Sequence, residues 1–434
     1  MTTTQQSTRR EIFSWCLFDW GNSAYPTVIT TFVFAAYFTQ AVAPNETEGT
    51  FLWGQTMAIA GIVAAIAGTM LGAVADRTGG RKRWLATFTV ICITTTALLW
   101  FVRPDVGDIW MALILVGVST AAFEFTMVFY NALLPEITGP NRYGRVSGWG
   151  WGLGYLGGLL CLVVALVVLI QAETPPFGLD KDAAEHVRAT ALLVALWFAV
   201  FSVPLFLWVR DPPSRDISAT RSVSEALRVL ADTLRRAGAH RQVLIFLAAR
   251  MLYADGLTTL FAFGGIYAAG TFGLSFAEII QFGIALNVTA GLGAFGFSWI
   301  DDRVGAKPTI VVSLIGLLIT GAAVLSVTSV TGFWVSAMAL GIFVGPVQSA
   351  SRSMMAHLAP ADMRAEMFGL FALSGRATSF LGPALVGWVT LATDSQRIGM
   401  TTILSFWLVG LCLLWFVRGA GAGSSASSPS GSSV

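Results

Sequence analysis

The chain consists of long apolar runs that alternate with short polar segments. A run of about 20 residues is long enough for an α-helix to cross the roughly 30 Å of hydrocarbon in a bilayer. The runs lack the two-residue alternation of a membrane β-barrel, so helices must satisfy their backbone groups in lipid. Twelve transmembrane helices are predicted, at 12–41, 50–75, 84–102, 109–134, 146–170, 190–209, 243–269, 276–300, 308–328, 332–357, 366–393 and 398–418.

The composition agrees with an all-α membrane protein. Hydrophobic residues make up 55% of the 434 residues and charged residues only 12%, about half the charged share of a soluble domain. We therefore expect the lipid bilayer as a partner. Nucleic acid is not expected to be one.

The distribution of Lys and Arg predicts the orientation of the chain. Of the 26 Lys and Arg, only Arg103, Lys181, Arg188 and Arg397 fall in the loops on one side, whereas most fall in the segments on the other. Cytoplasmic loops carry the excess of basic residues, so both termini are predicted to be cytoplasmic. The expected location is the cell (inner) membrane.

The longest cytoplasmic segment divides the chain into two pseudo-symmetric six-helix bundles. The predicted organisation is a cytoplasmic N-terminus, a first bundle, a linker with an amphipathic helix, a second bundle and a disordered Ser/Gly tail, at 1–11, 12–209, 210–242, 243–418 and 419–434. The segment 76–82, DRTGGRK, returns in the second bundle as 302–307, DRVGAK. This repeat indicates that the two halves are duplicated.

Ionisable residues inside the predicted spans are few and unevenly distributed. One charged side chain at the bilayer centre costs about 2.5 to 3.5 kcal/mol, so such residues usually face a cavity or a partner. Helices three, six, nine and twelve hold none, whereas helices one, four, seven, ten and eleven hold Asp19, Glu124, Arg250, Asp255, Arg352 and Arg376. The period of three indicates that the third helix of each triplet faces lipid and the first a shared polar interior.

Helix one carries a polar stripe. Asp19, Asn22, Ser23 and Pro26 follow the spacing of one helical face, which predicts a cavity wall. Pro26 removes a backbone hydrogen bond and should kink the helix. The alternative is that Asp19 pairs with cytoplasmic basic residues for structure alone.

Helix four offers a candidate proton carrier. Glu124 sits near mid-span and shares a face with Asn131. A carboxyl group in that position can take up and release a proton. The alternative is a permanent ion pair with an arginine of the other half.

The second half offers cationic and amide candidates. Arg250 and Tyr253 share a face of helix seven, while Asp255 points away from them and should reach another helix. On helix ten, Gln348 and Arg352 share a face.

Three candidates of the second half need separate comment: Arg352, Arg376 and Asn287. Arg352 either faces the interior or reaches the cytoplasm by snorkelling. Arg376 is predicted to hold a substrate anion, with a structural salt bridge as the alternative. Asn287 on helix eight is a weaker candidate.

Enzymatic signatures are missing from the sequence. The GxGxxG at 152–157 lies inside a predicted span and follows no strand, so it indicates helix packing. A P-loop, GxSxG and HExxH are absent, and the three histidines are scattered. We therefore predict no enzyme, no cofactor and no metal site.

The first repeated segment resembles a known loop signature. Gly72, Asp76, Arg77, Gly79 and Arg81 are spaced as in the loop between helices two and three of the major facilitator superfamily. The resemblance implies the two-bundle fold of that superfamily over nearly the whole chain. It also implies a gate that closes the cytoplasmic side, to which these five residues and their counterparts Asp302 and Arg303 belong.

Three other stretches resemble one branch of that superfamily, the Unknown Major Facilitator family, which includes fungal autophagy-linked vacuolar amino-acid effluxers. They are 18–25, FDWGNSAY, which adds Tyr25 to the site candidates; 348–353, QSASRS; and 368–383 around Arg376. Two positions depart from the family pattern, because Arg376 stands where lysine is common and Ala254 where asparagine is usual. The antiporter motif of helix five lacks its proline, so drug antiport is not indicated.

The sequence thus predicts a secondary active transporter of small polar metabolites, such as amino acids. Carboxylates and guanidiniums in one cavity could meet both ends of a zwitterion, and alternating access would move it, with proton coupling as a hypothesis. A monomer is expected. The alternatives are an uncoupled facilitator or effluxer of another small organic solute, and a receptor or scaffold on the same fold.

Overall fold

A computed structural model describes residues 9–78, 80–210, 235, 241–274, 276–375, 377–379 and 381–417. These residues form helices and connecting loops, without strands. The helices are α1 (Arg9–Asn22, continued by Tyr25–Phe32, Phe34–Tyr37 and Phe38–Val42), α2 (Glu46–Thr78), α3 (Arg81–Leu98), α4 (Ile109–Ile137), α5 (Tyr143–Val164, continued by Ala165–Ile170), α6 (Glu185–Trp208), α7 (Arg241–Phe272), α8 (Phe276–Val304), α9 (Ala306–Ser326), α10 (Val330–Leu358), α11 (Arg364–Ser374 and Leu381–Thr393) and α12 (Gln396–Trp415). Most of the predicted linker and the whole of the predicted tail lie outside the described residues.

Ten of the described helices are long and apolar enough to cross a membrane by length and composition, namely α2 to α10 and α12. The other two elements, α1 and α11, are interrupted. In α1 the hydrogen-bond pattern changes to that of a π-helix at Tyr25, next to Pro26, whose nitrogen cannot donate. In α11 the first segment ends at Ser374 and the second begins at Leu381.

The packing within the two halves follows one pattern. In the first half α1 packs on α5 and α6, and α3 on α4 and α6; in the second, α7 packs on α11 and α12, and α9 on α10 and α12. Between the halves, α5 packs on α8 and α2 on α11, two pairs that a six-helix shift exchanges. The helix contacts thus repeat as the duplicated sequence segments do.

Two lysines of the repeated segments occupy equivalent places. The Lys82 ammonium donates to the carbonyl of Val209 at the end of α6. The Lys307 ammonium donates to the carbonyl of Val417, after the end of α12, at 2.5 Å. Each lysine therefore caps the last helix of its own half, where a cation is favoured by the helix dipole.

Glycines allow the two halves to approach closely. A Cβ atom on Gly148 of α5 would lie 2.7 Å from the carbonyl oxygen of Ala294 in α8, and one on Gly72 of α2 would lie 2.6 Å from that of Ala365 in α11. Both contacts lie toward the same end of the bundle. We call it the basic end because it carries Arg81, Lys82, Arg142, Arg145, Arg303, Lys307 and Arg364.

Candidate functional site

A cavity of about 300 Å³ lies between the two halves. Its walls come from both halves, and they combine polar side chains with aromatic and aliphatic ones. The lining residues are Glu124, Met127, Asn131, Trp151, Arg250, Tyr253, Ala254, Leu257, Thr258, Phe261, Gln348, Ser351, Arg352, Phe371, Ala372 and Gly375. Six of the site residues predicted from the sequence therefore meet at one cavity: Glu124, Asn131, Arg250, Tyr253, Gln348 and Arg352.

Arg352 forms the wall of the cavity nearest the basic end. It does not snorkel, because only 2% of its surface is exposed. Its guanidinium donates to the Asp19 carboxylate at 3.0 Å and to the Ser147 hydroxyl and carbonyl at 2.8 and 2.6 Å. It also donates to the side-chain carbonyl of Asn131 at 3.3 Å. A cation of the C-terminal half is thus held by three residues of the N-terminal half.

Aromatic rings surround the same guanidinium. Its central carbon lies 4.7 Å from the ring centre of Trp15 and 5.6 Å from that of Trp151, both distances at which a cation is attracted by the ring face. Trp15 stacks on Tyr130 at 4.4 Å, and each side chain donates a hydrogen bond to the backbone carbonyl of the other. The rings and the hydrogen bonds therefore fix Arg352 in one position.

Asp19 is the carboxylate of this ion pair, and neither Asp19 nor Asn22 is among the cavity-lining residues. Asp19 is 5% exposed, and Asn22 donates to its carboxylate at 3.3 Å. The sequence left open whether Asp19 lines a cavity or pairs with cytoplasmic basic residues. Its observed partner, Arg352, is instead a buried residue within a helix of the other half. The Asp19–Arg352 pair therefore joins the two halves and depends on their approach.

Arg250 lies on the wall of the cavity that the C-terminal half forms. Its guanidinium stacks on the ring of Phe371 at 3.5 Å and donates to the carbonyl of Phe371 at 2.5 Å and to the hydroxyl of Ser374 at 2.8 Å. These contacts hold the side chain at the point where α11 is interrupted. Tyr253 lies one turn further along α7, hydrogen-bonded to the Ser351 hydroxyl at 2.6 Å.

A second cavity of about 240 Å³ adjoins the first. Trp151 and Phe261 line both, and Asn287 lines only the second. Between the two cavities, Gln348 of α10 donates to the hydroxyl of Tyr155 of α5 at 2.8 Å. This hydrogen bond is a further contact between the halves.

Two further predicted site residues, Tyr25 and Asp255, line neither cavity. The Tyr25 hydroxyl is bonded to those of Ser119 and Thr120, at 2.7 and 2.9 Å. Asp255 is 1% exposed and faces Gly382 in the second segment of α11. Asp255 thus reaches another helix, as its position on the face of α7 suggests.

The basic end is closed by contacts that involve predicted gating residues. Asp302 of α8 accepts a hydrogen bond from the backbone N–H of Arg145, at the start of α5, at 2.9 Å, and pairs with its guanidinium at 3.1 Å. In the same region, Glu136 of α4 pairs with Arg81 of α3 and, at 3.3 Å, with Arg364 of α11. Carboxylates from each half therefore bind groups of the other half.

Several predicted residues cannot be placed among these contacts. Gly79 and Arg376 lie outside the described residues, and so do the side chains of Asp76 and Arg77, whose backbone belongs to α2. Arg303 is exposed near the end of α8. The roles predicted for them stay predictions.

The sequence pattern does not predict the aromatic residues of the site. Trp15, Tyr130, Trp151 and Phe371 look like ordinary apolar residues of a membrane helix, and their meeting depends on three-dimensional packing. A usable signal exists for Trp151 alone, because it lies in the run GWGWGLG at 148–154, where small residues bring α5 close to other helices.

Comparisons with known proteins agree with the fold. Residues 47–423 match the model of the family described as "Vacuole effluxer Atg22 like". The MFS-type transporter YxiO of Bacillus subtilis is 26% identical over 93% of this chain and 94% of its own. Autophagy-related protein 22-1 of Phaeosphaeria nodorum is 24% identical over 83% of this chain and 75% of its own.

Solved transporters share the architecture. The major facilitator transporter FucP in its outward conformation superposes with a TM-score of 0.73 at 12% identity, over 94% of this chain and 100% of that chain. The human organic anion transporter MFSD10 gives 0.70 at 14% identity, over 94% and 99%. The predicted fold and family are confirmed. The chain is an integral multi-pass transporter of the major facilitator superfamily and belongs to its Atg22-like family.

Proposed function

We propose that this transporter moves small zwitterionic metabolites, in particular amino acids, through the central cavity. The observation that supports it is that one cavity between the halves is lined by a carboxylate, Glu124, and by a guanidinium, Arg250, with apolar side chains around them. A guanidinium suits a carboxylate of the substrate, and a carboxylate suits an ammonium group. The name of the matching family, vacuole effluxer, agrees with the movement of a solute across a membrane.

Transport would proceed by alternating access. The contacts at the basic end hold the halves together there, and rocking of one half against the other would break them while contacts form at the opposite end. Since basic residues favour the cytoplasmic side, we place the basic end in the cytoplasm. In this arrangement the cytoplasmic gate is closed.

Proton coupling is the most specific part of the proposal. Glu124 lines the cavity from the N-terminal half, so its carboxyl group could exchange a proton with the cavity when substrate binds or leaves. Asp19 is a second carboxylate of that half, and its pairing with Arg352 ties its charge to the closed gate.

Uptake into proteoliposomes tests the proposal. We expect labelled amino acids to accumulate when a pH gradient is imposed, and Glu124→Gln to remove the dependence on that gradient. Arg250→Ala should raise the half-saturating concentration at least about tenfold, because one charge-assisted hydrogen bond is worth about 1.5 to 3 kcal/mol.

Arg188→Ala is the matched control for the arginine. Arg188 also lies near an aromatic ring, that of Trp100 at 4.9 Å, and donates to a backbone carbonyl, but it is far from the cavity. Its substitution should leave the half-saturating concentration unchanged. Equal effects of the two substitutions, or no uptake of any amino acid by the wild-type protein, would contradict the proposal and favour another solute or a receptor.

A further inference from the structure

Asp301, near the end of α8, is a buried carboxyl group to which the transport proposal assigns no role. It is 3% exposed, and neither of its carboxylate oxygens has a hydrogen-bond partner among the described residues. Its neighbour Asp302 is engaged with Arg145, as described above. The repeated segment of the first half has Ala75 at the position of Asp301, so the acid is an addition to the duplicated pattern.

The surroundings of Asp301 come from both halves. Gly144 of α5 packs directly on its carboxyl carbon, where a Cβ atom would overlap it. The Ser353 hydroxyl of α10 lies beside the carboxyl group, but the two groups are not arranged as a hydrogen bond. The carboxyl group is therefore enclosed by the interface that closes the basic end.

No described cation neutralises this carboxyl group. The titratable side chains near the same ends of α8, α5 and α10 are Asp302, Arg303, Arg142, Tyr143, Arg145, His357 and Arg352. Arg352 is bound to Asp19 and Ser147. Arg145 is paired with Asp302, the ring of His357 lies 4.7 Å from that of Tyr143, and Arg142 and Arg303 are exposed. The charge that acts on Asp301 is that of Asp302, which has the same sign.

Burying a carboxylate in this position costs free energy. The group loses its hydration, and neither hydrogen-bond donors nor a counter-charge compensate for the loss. A protonated carboxyl group is far cheaper to bury. When the halves separate at the basic end, water reaches the group and the charged form is again favoured. The closed and open arrangements must then differ in how strongly they bind a proton at this position.

We infer that Asp301 is a proton-binding site that is occupied when the basic end is closed and empties when the basic end opens. On closing, a proton from water at the basic end forms an O–H bond on the carboxylate; on opening, it returns to the same water. The proton therefore does not cross the membrane. Its effect is to favour the closed gate at low pH on that side, and the inference rests on the alternating access proposed above.

Distance measurements between spin labels test this inference. Labels at Asn141 and Ala361, two exposed loop positions at the basic end of different halves, report whether that end is open. In the purified protein without substrate, we expect the ratio of open to closed molecules to rise with pH. Uptake of one proton on closing gives about a tenfold change per pH unit within the titration range.

Asp301→Asn should remove this pH dependence, because an amide of the same shape cannot be charged. Ser353→Ala is the matched control: it removes the adjacent hydroxyl and should keep the pH dependence. Asp302→Asn should raise the open fraction at every pH, because it weakens the contacts with Arg145, but the open fraction should still rise with pH. The inference is overturned if the wild-type distances do not respond to pH, or if Asp301→Asn responds as the wild type does. Uptake assays are independent of this result, so the failure of one proposal can be told from the failure of the other.

Discussion

The guanidinium of Arg352 is buried between the two halves, and its polar partners lie in the half to which it does not belong. A buried ion pair of this kind adds little net stability, but removal of one partner is strongly destabilising because it leaves the other charge uncompensated. The pair therefore makes closure of the basic end depend on two specific charges. Asp19 and Arg352 are both recognisable in the sequence as intramembrane charges. Their pairing is not, because 333 positions separate them along the chain.

A double-mutant cycle on this pair gives the prediction at the scale of the residue. Asp19→Asn and Arg352→Gln should each destabilise the closed arrangement by about 3 to 5 kcal/mol. The double variant should be less affected than the sum of the two, because neither charge is left unpaired. Thermal unfolding midpoints and the Asn141–Ala361 label distance measure both effects. Additive effects would show that the two side chains are not coupled.

At the scale of the element, the helices with regular apolar runs agree with the sequence, whereas α1 and α11 do not form single helices. Pro26 signals a disturbance in α1, but a proline predicts a kink and not the π-helical turns that follow it. The interruption of α11 between Ser374 and Leu381 has no proline within it and could not be expected from periodicity. Both elements carry predicted site residues, Asp19 and Arg376.

The close packing of α5 on α8 leads to a prediction for one glycine. Gly148→Ala should disfavour the closed arrangement by about 1 to 3 kcal/mol, because its Cβ atom would meet the Cβ atom of Ser298 and a backbone oxygen that cannot move independently. Gly296→Ala is the matched control, since a Cβ atom there has no heavy atom within 4 Å. The label distance at the basic end should lengthen for Gly148→Ala only. A similar response to both substitutions would mean that the contact does not limit closure.

For the whole molecule, the sequence predicted what depends on composition and repetition. The two halves, the helix number and the repeated segments follow from apolar length and duplication. The sequence does not predict which end is closed. The two arrangements of a rocking transporter have the same sequence and differ by a few contacts. The closed basic end depends on pairs such as Asp302 and Arg145, whose partners come from different halves.

The two contacts of Asp302 predict an order of effects on the closure of the whole molecule. Its carboxylate accepts a hydrogen bond from the backbone N–H of Arg145, at the N-terminus of α5, which is worth about 0.5 to 2 kcal/mol. The ion pair with the Arg145 guanidinium is partly exposed, so it should contribute at most about 1 kcal/mol. Arg145→Ala therefore removes only the smaller contact, whereas Asp302→Ala removes both.

We accordingly expect the open fraction at the basic end to increase more for Asp302→Ala than for Arg145→Ala, as measured by the same label pair. Lys307→Met serves as the control, because Lys307 binds carbonyl groups within its own half and should lower the unfolding midpoint without changing the label distance. If Arg145→Ala opened the gate as far as Asp302→Ala, the side-chain ion pair would hold the halves together. The backbone contact at the start of α5 would then contribute nothing to closure.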